Sequence, residues 1–184
     1  MWEETLLIVS IRLFVPLLIL RWPLWGGIAA IVADNLDVVL ASLIPWGHVW
    51  NYHQLDKLLD SYYLTIMAVV SLRWDAPARP VALALYAFRM IGVILFETTG
   101  IRKFLFFFPA VFETFFLFNA ARLQFFPQYV LTPTRLVGWL IVVSIPKVVQ
   151  EYIIHYRQAL DDIVAIEVIE DIKDAILNWF KDRG

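Results

Sequence analysis

Four aspartates carry the chemistry of this sequence. "DNLD" sets Asp34 and Asp37 three residues apart, and "DKLLD" sets Asp56 and Asp60 four apart. On helices, each spacing puts its two carboxylates on one face. Where the two helices are consecutive and antiparallel, all four carboxylates converge near one depth. Such a group cannot stay fully ionised and unpaired, because mutual repulsion forces protons onto some of its members. One divalent cation, or a pair, removes the conflict. Hard oxygen donors at this density suit Mg²⁺ or Mn²⁺, with phosphate completing the coordination. Paired metals polarise a phosphoryl group in transit, so the indicated chemistry is metal-assisted phosphoryl transfer.

The elements that must position these acids are apolar. Of 184 residues, 61% are hydrophobic, and the mean hydropathy is +0.71. A soluble domain of this size is nearer to about 45–50% apolar. Eight Trp and fourteen Phe suit lipid-facing surfaces and interface belts. The expected class is therefore an all-α, polytopic integral membrane protein with the lipid bilayer as its first partner. A spanning helix needs about 20 mainly apolar residues, and six segments qualify, near 4–21, 24–44, 58–74, 80–98, 104–122 and 136–155. Pro23, Pro45, Pro77, Gly100 and Pro127 punctuate the intervals. Pro16, Pro109 and Pro146 fall inside segments and predict kinks. Asp34 and Asp37 then lie towards the end of the second span, and Asp56 and Asp60 at the start of the third. For the latter pair alone, a plain alternative is placement at the positive end of a helix dipole.

The chain divides into a six-span domain, 1–156, and a tail, 157–184. In the tail Leu160, Val164, Val168, Ile172, Ile176 and Phe180 recur at steps of four between acids, the pattern of an amphipathic helix. Its acidic polar face suits anionic lipid poorly, so its expected contact is its own protein, a second copy or another membrane protein. Net charge is −2 and no long basic run occurs, which argues against nucleic acid as a partner. The absence of cysteine excludes disulfides, thiolate zinc sites and a cysteine nucleophile. The start, Met1-Trp2-Glu3-Glu4, lacks the positive charge of a secretory signal, so no cleaved leader is expected. Span-flanking Lys and Arg are nearly balanced between the two sides, and Lys173, Lys181 and Arg183 tip the termini towards the cytoplasm.

Other ionisable residues fall within the apolar segments. Arg12, Arg89 and Glu113 lie deep, where pairing between helices is the ordinary explanation. Arg122, Glu97 and Glu151 lie near span ends, where a long side chain reaches water. Lys147 lacks the surroundings of a Schiff-base lysine. His48, His53 and His155 fall near interfaces and make no metal-ligand pattern.

The acid spacing resembles that of the CDP-alcohol phosphotransferases, six-span enzymes of about this length that make phospholipid head-group linkages. Their motif reads D-x-x-D-G-x-x-A-R, eight or nine residues, then G-x-x-x-D-x-x-x-D. Here Asp34, Asp37 and Ala41 stand in register, residues 43–51 intervene, and Asp56 and Asp60 follow. The resemblance implies that Asp34, Asp37 and Asp56 ligate Mg²⁺ or Mn²⁺. It implies that Asp60 is the base that deprotonates an acceptor alcohol attacking a CDP-linked, lipid-like donor, with CMP released. The sequence departs from the pattern at three positions: Val38 and Tyr52 replace glycines, and Ser42 replaces the arginine. Glycines there would let a nucleotide approach the backbone, and serine cannot supply a planar, permanently charged phosphate contact.

Three readings follow. The first is a divergent CDP-alcohol phosphotransferase of lipid synthesis, active or reduced to a pseudoenzyme. The second is a non-catalytic integral subunit of a larger membrane assembly, with "FLFFFPAVFETFFLF" and the tail as contact surfaces. The third is a small transporter with Asp34, Asp37 and Glu113 along a pathway, for which a repeat is missing.

Overall fold

The computed structural model describes residues 2–43, 52–101 and 103–152, with the backbone alone described at 2–7, 36–43, 52–57 and 150–151. The tail, 157–184, lies outside the described residues. Among those described there are helices and no strand: α1 (Trp2–Phe14) running into a 3₁₀ segment (Val15–Leu20), α2 (Pro23–Leu43), α3 (Tyr52–Ser71), α4 (Ala78–Thr99), α5 (Lys103–Phe107), α6 (Val111–Phe125) and α7 (Pro133–Glu151). Two stretches, Ala78–Thr99 and Lys103–Phe125, are long and apolar enough to cross a membrane.

Local chemistry sets the boundaries. Pro16 cannot donate to the preceding turn, and from Val15 the first helix tightens to 3₁₀. The third helix opens at Tyr52, earlier than its apolar run, so "YHQLDKLLD" is helical throughout. Gly100 ends α4 in the left-handed conformation at φ +70°, its N–H returning to the Phe96 carbonyl. Pro109 does more than kink the fifth segment. It offers no N–H to the Leu105 carbonyl, and the chain leaves the helix between Phe107 and Val111. Thr132 caps α7 by accepting from the Arg135 N–H, with Pro133 opening the first turn. Pro146 is accommodated inside α7.

Side-chain contacts order the bundle into levels. At one level Arg12, Asp34 and Asp60 meet. At the next, Gly27 faces Met67, Phe116 and Leu117, while Trp74 stacks on Phe116 at 5.2 Å between ring centroids. Moving from the first level to the second runs backwards along α2 and forwards along α3, so the two helices are antiparallel. The same comparison makes α7 antiparallel to α6. Lys147 meets Glu113, whereas Trp139, earlier in α7, stacks on Phe118, later in α6. Helix α6 is central and touches α2, α3, α4 and α7. Its Phe112, Phe115 and Phe116 are fully buried together with Met67 and Ile19. At Gly26 an added Cβ would stand 2.4 Å from the Ile19 backbone nitrogen, so only glycine lets α2 cross the 3₁₀ segment this closely.

The outer surface is apolar. Phe14, Trp22, Trp25, Ile94, Phe107, Ile141, Val142 and Ile145 are among its exposed residues. A water-soluble chain usually leaves fewer large apolar side chains uncovered.

Candidate functional site

Arg12, near the end of α1, is 4% exposed. Its Nη2 donates to Asp34 Oδ1 of α2 and to Asp60 Oδ1 of α3, at 2.5 Å in each case. Both oxygens contact a single nitrogen, so they cannot be farther apart than twice that distance. The two carboxylates keep roughly a quarter of their side-chain surface exposed, 27% and 25%, while the arginine beneath them is sealed. Short charge-assisted contacts of this type are stronger than neutral hydrogen bonds.

The helix directions explain which acids meet. α2 runs towards the 44–51 connection and α3 runs away from it. Asp34 and Asp60 are therefore the deeper members of their pairs, and Asp37 and Asp56 stand about one turn nearer the connection on the same helices. The side chains of Asp37 and Asp56 lie outside the described residues.

A second cluster occupies the adjoining turn of α3. Tyr63, three residues beyond Asp60, donates from Oη to Glu113 Oε1 at 2.6 Å. Lys147 donates to Glu113 Oε2 at 2.9 Å. Glu113 lies in the first turn of α6, where the helix dipole favours a carboxylate. Together the two clusters draw Arg12, Asp34, Asp60, Tyr63, Glu113 and Lys147 from five helices into one polar layer. Towards the other end of the bundle the interior is mainly apolar, with Ile19, Met67, Trp74, Phe115 and Phe116, and with Ser71 and Asn119 as buried polar side chains.

Arg89 meets a different need. Its Nη1 donates to the carbonyls of Phe108 at 2.9 Å and Leu105 at 3.3 Å. These are acceptors that the Pro109 interruption takes out of the helical pattern. An arginine at the C-terminal end of α5 also opposes the negative end of that helix. Beside the ion pairing expected from sequence, Arg89 therefore serves backbone carbonyls. Arg122 is half-buried and bonds Asn119 Oδ1 and the Tyr129 carbonyl, tying the end of α6 to the following loop. Glu97 is exposed, as a span-end position predicts. The side chains of His53 and Glu151, and all of His48 and His155, lie outside the described residues.

The sequence reading therefore finds Asp34 and Asp60 brought together. What it did not supply is the cation between them or the grouping of Tyr63, Glu113 and Lys147. Tyr63 carries a readable signal, a phenol one turn beyond Asp60 on the same face of an apolar helix. As to a metal, the donor chemistry fits, since two carboxylates from neighbouring helices supply hard oxygens. Among the described residues no group of three or more ligand-type side chains occurs, so a full set would draw on Asp37 and Asp56. No protein-family model, curated protein or solved structure matches the chain.

Proposed function

We propose that this chain is a six-span membrane protein with a one-sided carboxylate site of the CDP-alcohol phosphotransferase kind, acting on a phosphorylated, lipid-like alcohol. The observation that carries the reading is the convergence of Asp34 and Asp60 across antiparallel α2 and α3. Two further features support it. The many exposed apolar side chains suit lipid, and the level beyond the polar layer, apolar but for buried Ser71 and Asn119, suits a site reached from one face better than a transport path.

In this reading Asp34, Asp37 and Asp56 hold Mg²⁺ or Mn²⁺, which when bound neutralises charge on the phosphoryl group. Asp60 accepts the proton of the acceptor hydroxyl as its oxygen attacks the β-phosphorus of a CDP-linked donor. The P–O bond to CMP breaks, and CMP leaves. The termini and the 44–51 connection share the cytoplasmic side. The 157–184 helix contacts a second copy or another membrane protein.

The test is Mg²⁺-dependent CMP release from a CDP-linked lipid by protein reconstituted in vesicles. Asp60→Asn should lower the rate at least about a hundred-fold, the scale of a lost general base. Equal release by parent and variant would overturn the assignment of Asp60. A folded parent that releases no CMP would favour the second reading, a non-catalytic integral subunit. That reading has its own supporting observation, since Arg12 already satisfies Asp34 and Asp60 from within the chain.

A further inference from the structure

In the phosphotransferase reading Asp34, Asp37 and Asp56 are ligands for a cation supplied from solution. The bundle already supplies one. Arg12 reaches the deeper acid of each pair from a third helix and is itself almost wholly buried. A guanidinium remains charged at any physiological pH. Its Nη2 contacts one oxygen of each carboxylate, bridging α2 and α3.

We infer that Arg12 is a tethered competitor for the cation of this site: a divalent ion gains Asp34, and Asp60 is freed to act as a base, only when the guanidinium withdraws, so α1 controls metal loading. The inference rests on the metal-site part of the reading above and adds a residue that the acid motif does not contain.

Three physical points lead to it. First, the carboxylates repel each other, and any occupant that relieves the repulsion stabilises the bundle. Arg12 provides that relief without a metal. Second, a dication coordinated by Asp34 would sit beside a fixed positive charge, and in a poorly hydrated interior that repulsion is large. The two occupants therefore exclude each other rather than add. Third, α1 has a place at which to give way. Immediately beyond Arg12 it changes to 3₁₀ geometry at Val15, ahead of Pro16, while the Tyr62 hydroxyl holds the Leu13 carbonyl at 3.2 Å. Movement of the α1 segment before that point would withdraw Arg12 and leave Ile19 in the apolar level undisturbed.

The probe is Mn²⁺ alone, titrated against the full chain in lipid nanodiscs and followed by the paramagnetic resonance signal of free Mn²⁺. Arg12→Gln should bind Mn²⁺ at least about ten-fold more tightly than the parent, the smallest gain expected from removing a like charge at contact. Arg12→Lys, which retains the charge, should stay within about three-fold of the parent by the same argument. Adding Asp34→Asn to Arg12→Gln should abolish the gain. If the parent binds Mn²⁺ as tightly as Arg12→Gln, Arg12 is no competitor and the metal site stands without it. If neither binds Mn²⁺, the metal reading itself falls. Should Arg12→Gln fold poorly, Mn²⁺ present during purification should restore its yield, and a yield indifferent to Mn²⁺ would overturn the inference.

Discussion

Arg12 and Arg89 sit in apolar helices of similar composition, yet they answer opposite kinds of deficit. Around Arg12 the deficit is charge, because two carboxylates from different helices face each other. Around Arg89 it is backbone, because the interruption at Pro109 leaves the Leu105 and Phe108 carbonyls in need of donors. The comparison teaches that an arginine in an apolar segment can serve backbone carbonyls as well as carboxylates. What distinguishes the two is the partner, and the partner comes from far along the chain.

The largest expected difference lies at Arg12. Arg12→Gln leaves two acids with their shared guanidinium gone, and breaking a buried ionic group in this way costs about 3–5 kcal/mol. The loss should appear as a large drop in thermal midpoint in detergent micelles without divalent ions. Adding Asp34→Asn and Asp60→Asn to Arg12→Gln should recover most of it, because the charges that needed the arginine are then absent. A triple variant no more stable than Arg12→Gln would show that Arg12 packs rather than neutralises.

At Arg89 the expected effect is smaller. Arg89→Met removes donors from two carbonyls, worth about 1–2 kcal/mol for polar contacts between apolar helices. Pro109→Ala restores an N–H that can reach the Leu105 carbonyl. In that background Arg89→Met should therefore cost noticeably less, and the shortfall is the coupling between arginine and break. Simple additivity would separate Arg89 from the interruption and dissolve the comparison with Arg12.

These two regions also mark where the sequence stops being informative. The helices follow from apolar runs and from Pro and Gly punctuation, and their limits lie near the predicted segments except that α3 opens early at Tyr52 and the fifth segment is split into α5 and α6. The meeting of Asp34 with Asp60 follows from their i, i+3 and i, i+4 spacing on consecutive antiparallel helices. Such features are local, or separated by one short connection. The choice of Arg12 as their common partner is not local, and neither is the pairing of Lys147 with Glu113. Any buried cation could have met any buried acid on charge alone, and only the packing of α1, α6 and α7 decides. At Pro109 the sequence shows the missing N–H but not the outcome. A kink and a full interruption differ by whether a neighbour can feed the freed carbonyls, and Arg89 does so from α4.

The smallest effects test the same contrast through glycine. Gly92 lies one turn beyond Arg89, where an added Cβ would stand 2.3 Å from Phe108 Cβ. Gly92→Ala therefore pushes α4 away from the interruption. The overpacking, offset by alanine's better helix propensity, should leave a net loss of about 1 kcal/mol. Gly138 in α7 has no atom within 4 Å of an added Cβ, and its neighbours Val137, Ile141 and Val142 are exposed. Gly138→Ala should therefore stabilise the protein slightly, by about 0.5 kcal/mol from propensity alone. The two alanine variants compared by thermal midpoint in micelles give opposite signs if Gly92 serves the helix break and Gly138 faces open space. A loss at Gly138 would mean that something packs closely on this face of α7. The apolar stripe through Ile141 and Ile145 would then be the surface on which to look for a second copy of the chain.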